Sequence, residues 1–225
     1  AGKGVAIPES ANEALDFINM NVKEGTKVFI EDFIDGEEVS ILGISDGSTV
    51  IPLISAQDHK RIFDGDKGPN TGGMGSYAPA PVIDDKMMYR IERTIIEPTF
   101  EAMRSEGRTY KGVLFVGLMM TEEGPKVIEY NCRFGDPETQ AILPLLDGDL
   151  ADILYGSAEG AFTCSEVLPV TGSHCLCLVL ASGGYPNKYF TGYEITGLEG
   201  SDPATHIIHA GTVIDNGHVM TAGGR

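Results

Sequence analysis

Basic residues are scarce in this sequence: 16 Lys and Arg stand against 33 Asp and Glu, giving a formal charge of −17 and a pI near 4.5. A surface of that sign repels nucleic-acid backbones and anionic lipid, so neither is expected as a partner, and any bound phosphate must be met by local cations or a metal. No apolar run approaches the roughly 18–20 residues that a membrane span needs, and the N-terminus lacks the charged-then-apolar pattern of a secretory signal. A soluble, cytoplasmic protein is expected. Cysteine is sparse too: Cys132, Cys164, Cys175 and Cys177 form no C-x-x-C pair. Cys175 and Cys177 fall on the same face of one strand, a poor start for a zinc site, and buried free thiols are expected. His206 and His209 point to opposite faces in a β context, which argues against a shared metal. Gly2-Lys3-Gly4 is no Walker A loop, because it lacks the upstream glycine and a Ser or Thr after the lysine.

What is present suffices for a core and more than one lobe: 225 residues, of which 42% are hydrophobic. The 29 glycines cluster at 65–75, 183–184 and 223–224, where backbone can approach a ligand closely. Ser10-Ala11-Asn12-Glu13 is a capping box opening a short amphipathic helix to about Val22. Lys27 to Phe33 reads as a strand, and Val39 to Gly43 pairs through an Asp46-Gly47 hairpin with Val50 to Ile54 in a β-meander. From Ser55 to Pro81 the chain is polar, rich in Gly and Pro and without periodicity. Such a long loop suits a lid or binding loop, and its Asp58-His59-Lys60-Arg61 and Asn70-Thr71-Gly72-Gly73 offer donors for phosphate oxygens. Asp84 caps a long helix with Met88, Ile91, Ile95 and Ala102 on one side, kinked by Pro98 and stopped at Gly107. Gly112 to Met120 is a core strand. A helix from Pro137 breaks near Pro144, and another runs from Asp149 to about Ala158 with Leu150, Ile153 and Leu154 as its stripe. Beyond 160–170 the texture turns to short strands: a core strand from His174 to Ala181, a tight turn at Gly183-Gly184-Tyr185-Pro186, and an Asn216-Gly217 hairpin. The sequence halts at Gly223-Gly224-Arg225 without a closing element, which reads as truncation.

The most informative stretch is Pro125 to Glu138. Its first half reads as a strand pairing antiparallel with Gly112 to Met120, and side-chain alternation sets Val127, Glu129 and Asn131 on one face. The carboxylate and the amide stand two residues apart, about 6.6 Å along a strand, a spacing that lets them share a hard cation such as Mg²⁺ with phosphate. Arg133 then offers an anion clamp, and Asp136-Pro137-Glu138 has the order N-cap, first-position proline, first-turn acid. Taken singly, a strand Glu is ordinarily solvated and an Arg near an Asp ordinarily forms a surface pair; their concentration within a dozen residues points to a site.

These motifs resemble the glycinamide ribonucleotide synthetase family of the ATP-grasp superfamily. The resemblance runs along essentially the whole chain, through Ala1-Gly2-Lys3-Gly4-Val5, Gln57-Asp58-His59-Lys60-Arg61, Gly68-Pro69-Asn70-Thr71-Gly72-Gly73-Met74-Gly75 and Glu129 to Glu138. It implies an α+β ATP-grasp fold: a partial small lobe with the glycine loop over residues 1–30, a large lobe with the metal and phosphate site over 31–162, and a truncated, mainly β C-terminal domain over 163–225. The implied activity is ATP-dependent ligation of glycine to 5-phosphoribosylamine through glycyl phosphate. By the same resemblance Gly2, Lys3 and Gly4 cover the ATP phosphates, Glu31, Asp32, Phe33 and Ile34 meet the adenine edge, and Glu38 binds the ribose. Glu129 and Asn131 hold Mg²⁺ or Mn²⁺. Lys60, Arg61, Arg133 and Asp136 handle phosphate, acyl phosphate and amine, while Asp58, Asn70, Thr71, Gly72, Gly73 and Glu138 contact substrates. The family's N-terminal domain, and the strand with a further phosphate-contacting lysine just before the glycine loop, are not in this sequence, and weak ATP binding with little ligation is expected of the isolated chain. Two alternatives compete: an ATP-grasp enzyme for another purine intermediate, and a non-catalytic ATP-binding module of a larger polypeptide.

Overall fold

The computed structural model describes residues 5–23, 25–65, 67–162, 172–199 and 202–225. Helix α1 (Ala11–Asn21) begins as its capping box dictates: the Ser10 hydroxyl accepts the Glu13 N–H at 3.3 Å, and the Glu13 carboxylate reaches back to the Glu9 N–H at 2.9 Å. The expected strand at Lys27 to Phe33 does not form. That segment finds no ladder partner among the described residues, and Phe29, Ile30 and Phe33 lie exposed. β-propensity alone cannot hold an extended segment whose backbone groups have no neighbouring strand.

Strand β1 (Glu37–Ser45) folds back on β2 (Val50–Pro52) through the Asp46-Gly47 turn, as expected. The Asp46 carboxylate accepts the N–H groups of Ser48 and Thr49 at 2.8 and 2.7 Å and locks that turn. Antiparallel to β1 runs β7 (Gly112–Thr121), followed through a tight turn by β8 (Gly124–Asn131), so the sheet order is β2-β1-β7-β8.

Each face of this sheet carries a core. Val39, Ile41, Leu114, Val116 and Leu118 pack against Ile91, Ile96 and Phe100. On the other face Leu42, Ile44 and Phe115 meet Ala141, Ile142, Leu145 and Ile153. Each fully buried Leu or Ile contributes about 1.5–3 kcal/mol.

Corrections fall on the first helical region. It comprises α2 (Asp85–Ile91), a π-helical turn (Glu92–Ile96) and α3 (Glu97–Ser105). The wide turn lies directly before Pro98, whose ring cannot donate an N–H and crowds a tightly wound preceding turn. Of the expected stripe Met88, Ile91, Ile95 and Ala102, Ile91 is fully buried, Met88 and Ile95 pack against the same core, and Ala102 is exposed, its place taken by Ile96 and Phe100. The expectations of Asp84 as the cap and Gly107 as the stop both hold.

The segment read as one structureless loop contains β3 (Gln57–Asp58), β4 (Arg61–Phe63), β5 (Lys67–Asn70) and β6 (Gly75–Ala78). β4 and β5 form a ribbon, while β6 pairs with β3 and with β9 (Cys175–Leu178) from the C-terminal region. That partner lies a hundred residues away, which is why local pattern gave no sign of it. β9 is not a core strand: Cys175 and Cys177 pack inward, whereas Leu176 and Leu178 stand 70% and 72% exposed.

Helix α4 (Glu138–Ile142) passes into a 3₁₀ turn at Pro144, and α5 (Leu150–Glu159) is capped by the Asp149 carboxylate. The Asn216-Gly217 hairpin joins β10 (Thr212–Asp215) to β11 (His218–Thr221), both turn residues having positive φ. Among the described residues, no helix is long and apolar enough to cross a membrane. Cys132, Cys175 and Cys177 are free thiols, though Cys132 is exposed rather than buried, and Cys164 lies outside the described residues.

Candidate functional site

Strand register decides which side chains share a face. β8 carries a bulge: Val127 lies opposite Leu118 and Glu129 opposite Gly117, leaving Ile128 as the extra residue. The expectation that Val127, Glu129 and Asn131 share one face therefore fails for Val127, which packs with Leu118 in the core beside α2 and α3. Glu129 and Asn131 lie opposite Gly117 and Phe115, and those residues lie opposite Ser40 and Leu42 of β1. Antiparallel partners point the same way, so Glu38, Ser40, Glu129 and Asn131 all stand on the face turned towards α4. Gly117 makes room for this: a β-carbon there would come within 3.1 Å of Glu129 Cγ.

Over this face Lys60 forms an ion pair with Glu38, bringing the 55–81 segment onto the sheet. Burial works against the Lys60 ammonium, but Glu38, Asp58 and Glu129 outweigh it and raise the lysine above its ordinary pKa. Burial, followed by the Glu138 carboxylate, pushes Asp58 up to about 7 against the pull of Lys60 and Arg225. Glu38, Asp58, Lys60, Glu129, Glu138 and Arg225 thus form one electrostatic cluster drawn from five places in the chain. Ser40 Oγ donates to Glu138 Oε1 at 3.0 Å within it, and Glu138 is 3% exposed.

Other expected site residues stand elsewhere. The side chain of Arg133 is exposed and donates to the neighbouring Phe134 carbonyl at 2.8 Å. Arg61 is exposed on β4, where it donates to the Gly68 carbonyl at 3.5 Å, and Asn70 is exposed on β5. Asp136 does not cap α4, which starts at Glu138 without a side-chain cap. Its carboxylate is instead engaged by Arg225 and Gln140, at 2.7 and 2.8 Å.

The glycine nest is also not an open anion cradle. The Thr71 N–H bonds to the Lys60 carbonyl, that of Gly72 to Tyr185 Oη, that of Gly73 to Thr71 Oγ1, and that of Met74 to the His59 carbonyl. Those donors fasten the loop to its neighbours. Gly73, with φ of 107°, lies where a β-carbon would meet the Pro137 ring and come within 2.8 Å of Asp58 Oδ1, so glycine is required there.

Glu31, Asp32 and Phe33 are exposed and Ile34 is half-buried. Asp32, Phe33 and Ile34 line an open cleft of about 780 Å³ with Met120, Glu122 and Lys126. Glu37, the neighbour of Glu38 at the start of β1, also lines it. Gly36 lets this segment pass closely over the Met120 carbonyl, which a β-carbon would strike. Gly2, Lys3 and Gly4 lie outside the described residues.

A divalent cation fits the donors present. Glu129 and Asn131 are half-buried residues on one face, and their side-chain oxygens are hard donors; the buried Asn131 amide nitrogen, without a hydrogen-bond partner among the described residues, is a donor suited to a phosphate oxygen rather than to the metal. No group of three or more His, Cys, Asp or Glu gathers for a metal among those residues, so protein atoms offer a partial set that phosphate oxygens and water can complete.

Sequence reading missed Ser40, Tyr185 and Arg225. Arg225 and its acceptor Gly73 are separated by 152 positions, and no local pattern carries such a contact.

Comparison with known proteins accords with this geometry. The phosphoribosylglycinamide synthetase ATP-grasp (A) domain matches residues 1–139, and the C domain of the same synthetase matches 175–225. The bifunctional purine biosynthetic protein ADE1 of Schizosaccharomyces pombe is 50% identical over 231 residues, covering all of this chain and 29% of that protein. A phosphoribosylamine–glycine ligase of Synechocystis sp. is 46% identical over 228 residues, with all of this chain covered and 54% of the relative. The chain therefore spans about half the length of such ligases. The crystal structure of phosphoribosylamine–glycine ligase from Thermotoga maritima superposes with a TM-score of 0.77 at 34% identity, over 87% of this chain and 48% of that one. A biotin carboxylase complex from Campylobacter jejuni matches at 0.55 and 20% identity, over 73% of this chain and 34% of the other, a likeness of fold alone. With more than half its length matched by the first of these domains, the chain has an α+β ATP-grasp fold and belongs to the phosphoribosylglycinamide synthetase family.

Proposed function

We propose that the protein containing this chain joins glycine to 5-phosphoribosylamine using ATP, giving glycinamide ribonucleotide, ADP and phosphate in purine biosynthesis. The observation that carries the reading is the gathering of Glu38, Lys60, Asp58, Glu129 and Asn131 over one face of the sheet, beside the cleft lined by Asp32 to Ile34. In the first step a glycine carboxylate oxygen attacks the γ-phosphorus as the bond to ADP breaks. In the second, the phosphoribosylamine nitrogen attacks the acyl carbon, phosphate leaves and the nitrogen loses a proton. Neither step needs a covalent protein nucleophile, and the protein's work is positioning and charge neutralisation.

Glu129 and Asn131 would hold Mg²⁺ or Mn²⁺, which when bound neutralises charge on the phosphate oxygens. The Asp32 to Ile34 backbone offers an edge for the adenine, together with Glu31, and the Glu38 oxygen not engaged by Lys60 can accept from a ribose hydroxyl. Lys60, kept charged by its acidic neighbours, supplies a cation for phosphate. Asp58 suits an ammonium-bearing substrate. Gly2, Lys3 and Gly4 are assigned to covering the phosphates, and Arg61, Arg133 and Asp136 to the phosphate and amine of the substrates. The division at 30 and 162 is retained as our reading of the domains, and a cytoplasmic location fits the substrates.

Coupled ADP release by the full-length protein tests this, with glycine and phosphoribosylamine omitted in turn. Dependence on both supports the ligase. ADP release indifferent to both would leave a nucleotide-binding module.

A further inference from the structure

The C-terminal region reaches into this site through one side chain. The Arg225 guanidinium, with a side chain 17% exposed, donates through Nη1 to the Gly73 carbonyl at 2.6 Å. Through Nη2 it donates to Asp136 Oδ2 at 2.7 Å and to the Asp136 carbonyl at 3.3 Å. It thus ties the loop carrying Gly72 and Gly73 to the start of α4, two segments that do not adjoin in sequence. Tyr185 makes a second tie, its hydroxyl accepting the Gly72 N–H at 3.0 Å.

The base of Arg225 is itself fixed. Its carbonyl accepts the Gly211 N–H at 3.1 Å, Ser182 N–H and Oγ donate to the Gly224 and Gly223 carbonyls at 2.7 Å each, and the Tyr185 and Tyr189 rings close over Gly224. A planar guanidinium reaches two acceptors at set angles, which a lysine ammonium on a flexible stem cannot reproduce.

We infer that Arg225, seconded by Tyr185, is a positioning residue: it clamps the Gly72–Gly73 loop against Asp136 and so sets where the Asp58, Asp136 and Glu138 carboxylates meet the acceptor substrates. The inference rests on the ligase reading above. Its consequence is selective. Among the described residues Glu38, Glu129 and Asn131 make no hydrogen bond to Arg225 or Tyr185, and the loop's link to Glu38 runs through Lys60, whose carbonyl accepts from Thr71; Gly73 and Asp136 are bonded to Arg225 directly.

The test uses the full-length enzyme carrying Arg225→Ala, Arg225→Lys and Tyr185→Phe, with KM measured separately for ATP, glycine and phosphoribosylamine. Both arginine variants are expected to raise KM for glycine or phosphoribosylamine by about tenfold to a hundredfold while leaving KM for ATP within about twofold, because small misplacements of a positioned substrate carry that penalty. Tyr185→Phe is expected to move the same constants less. Amide exchange of Gly72 to Met74 in Arg225→Lys is expected to accelerate without a change in global unfolding. Equal changes in all three constants, full rescue by lysine, or unchanged loop exchange would overturn the clamp. Failure of wild-type ADP release to depend on glycine would instead overturn the ligase reading, and the exchange measurement would still judge the clamp.

Discussion

Ser40 on β1 donates its hydroxyl to the Glu138 carboxylate at the start of α4, 3.0 Å away and across 98 positions of sequence. Both residues are nearly sealed from solvent, at 4% and 3% exposure, so this bond joins the central sheet to the helix that follows the Glu129 strand. Replacing Ser40 by Ala leaves a buried carboxylate oxygen without that partner, a loss of about 1–3 kcal/mol. Urea unfolding at neutral pH should show a lower midpoint with unchanged slope. An unshifted midpoint would mean that Glu138 is satisfied without Ser40.

Asp58 gives the fold a pH dependence of defined sign. In the unfolded chain its carboxyl titrates near the ordinary 3.8, whereas in the folded chain burial, with the Glu138 charge next, holds it at about 7. The folded state therefore binds the extra proton between those values, and this group's contribution is fully present below the lower one. Stability falls as pH rises through the window and levels off above about 7. Asp58→Asn should flatten that part of the stability profile in a buffer series; a profile of unchanged slope would contradict the assignment.

Gly73→Ala is expected to destabilise by about 1–3 kcal/mol or more, since alanine must adopt a positive φ there and its methyl meets Pro137 and Asp58. Gly107→Ala is the control, with a positive φ but nothing within 4 Å of its β-carbon. Thermal melts of the two variants should differ, with Gly73→Ala the lower; equal melting temperatures would show that the Gly73 contacts carry no cost.

Local chemistry explains which parts of this architecture could be read from sequence. Ser10, Asp84 and Asp149 cap helices because each side chain needs only the next few N–H groups, and Asp46-Gly47 and Asn216-Gly217 make hairpins because their own dihedrals suffice. Glu129 and Asn131 were found by alternation, which survives between them because the bulge falls at Ile128, before both. Val127 was misplaced for the same reason: one extra residue inverts the face of everything upstream. Lys27 to Phe33 has strand composition without a partner, and the π-helical turn before Pro98 has no periodic signature. The short strands of the 55–81 segment and the Arg225 contacts depend on residues far along the chain, where the sequence pattern is silent.

The proposed assignment of a divalent cation to Glu129 and Asn131 is tested most directly by the magnesium dependence of ADP formation. In the full-length protein, Glu129→Gln should raise the Mg²⁺ concentration for half-maximal glycine-dependent ADP formation by about tenfold or more, a scale typical even of groups that only orient metal ligands. Its melting temperature should stay close to that of the wild type. The same Mg²⁺ dependence in the folded variant as in the wild type would contradict the claim and remove Glu129, and with it this face of the sheet, from the site of phosphoryl transfer.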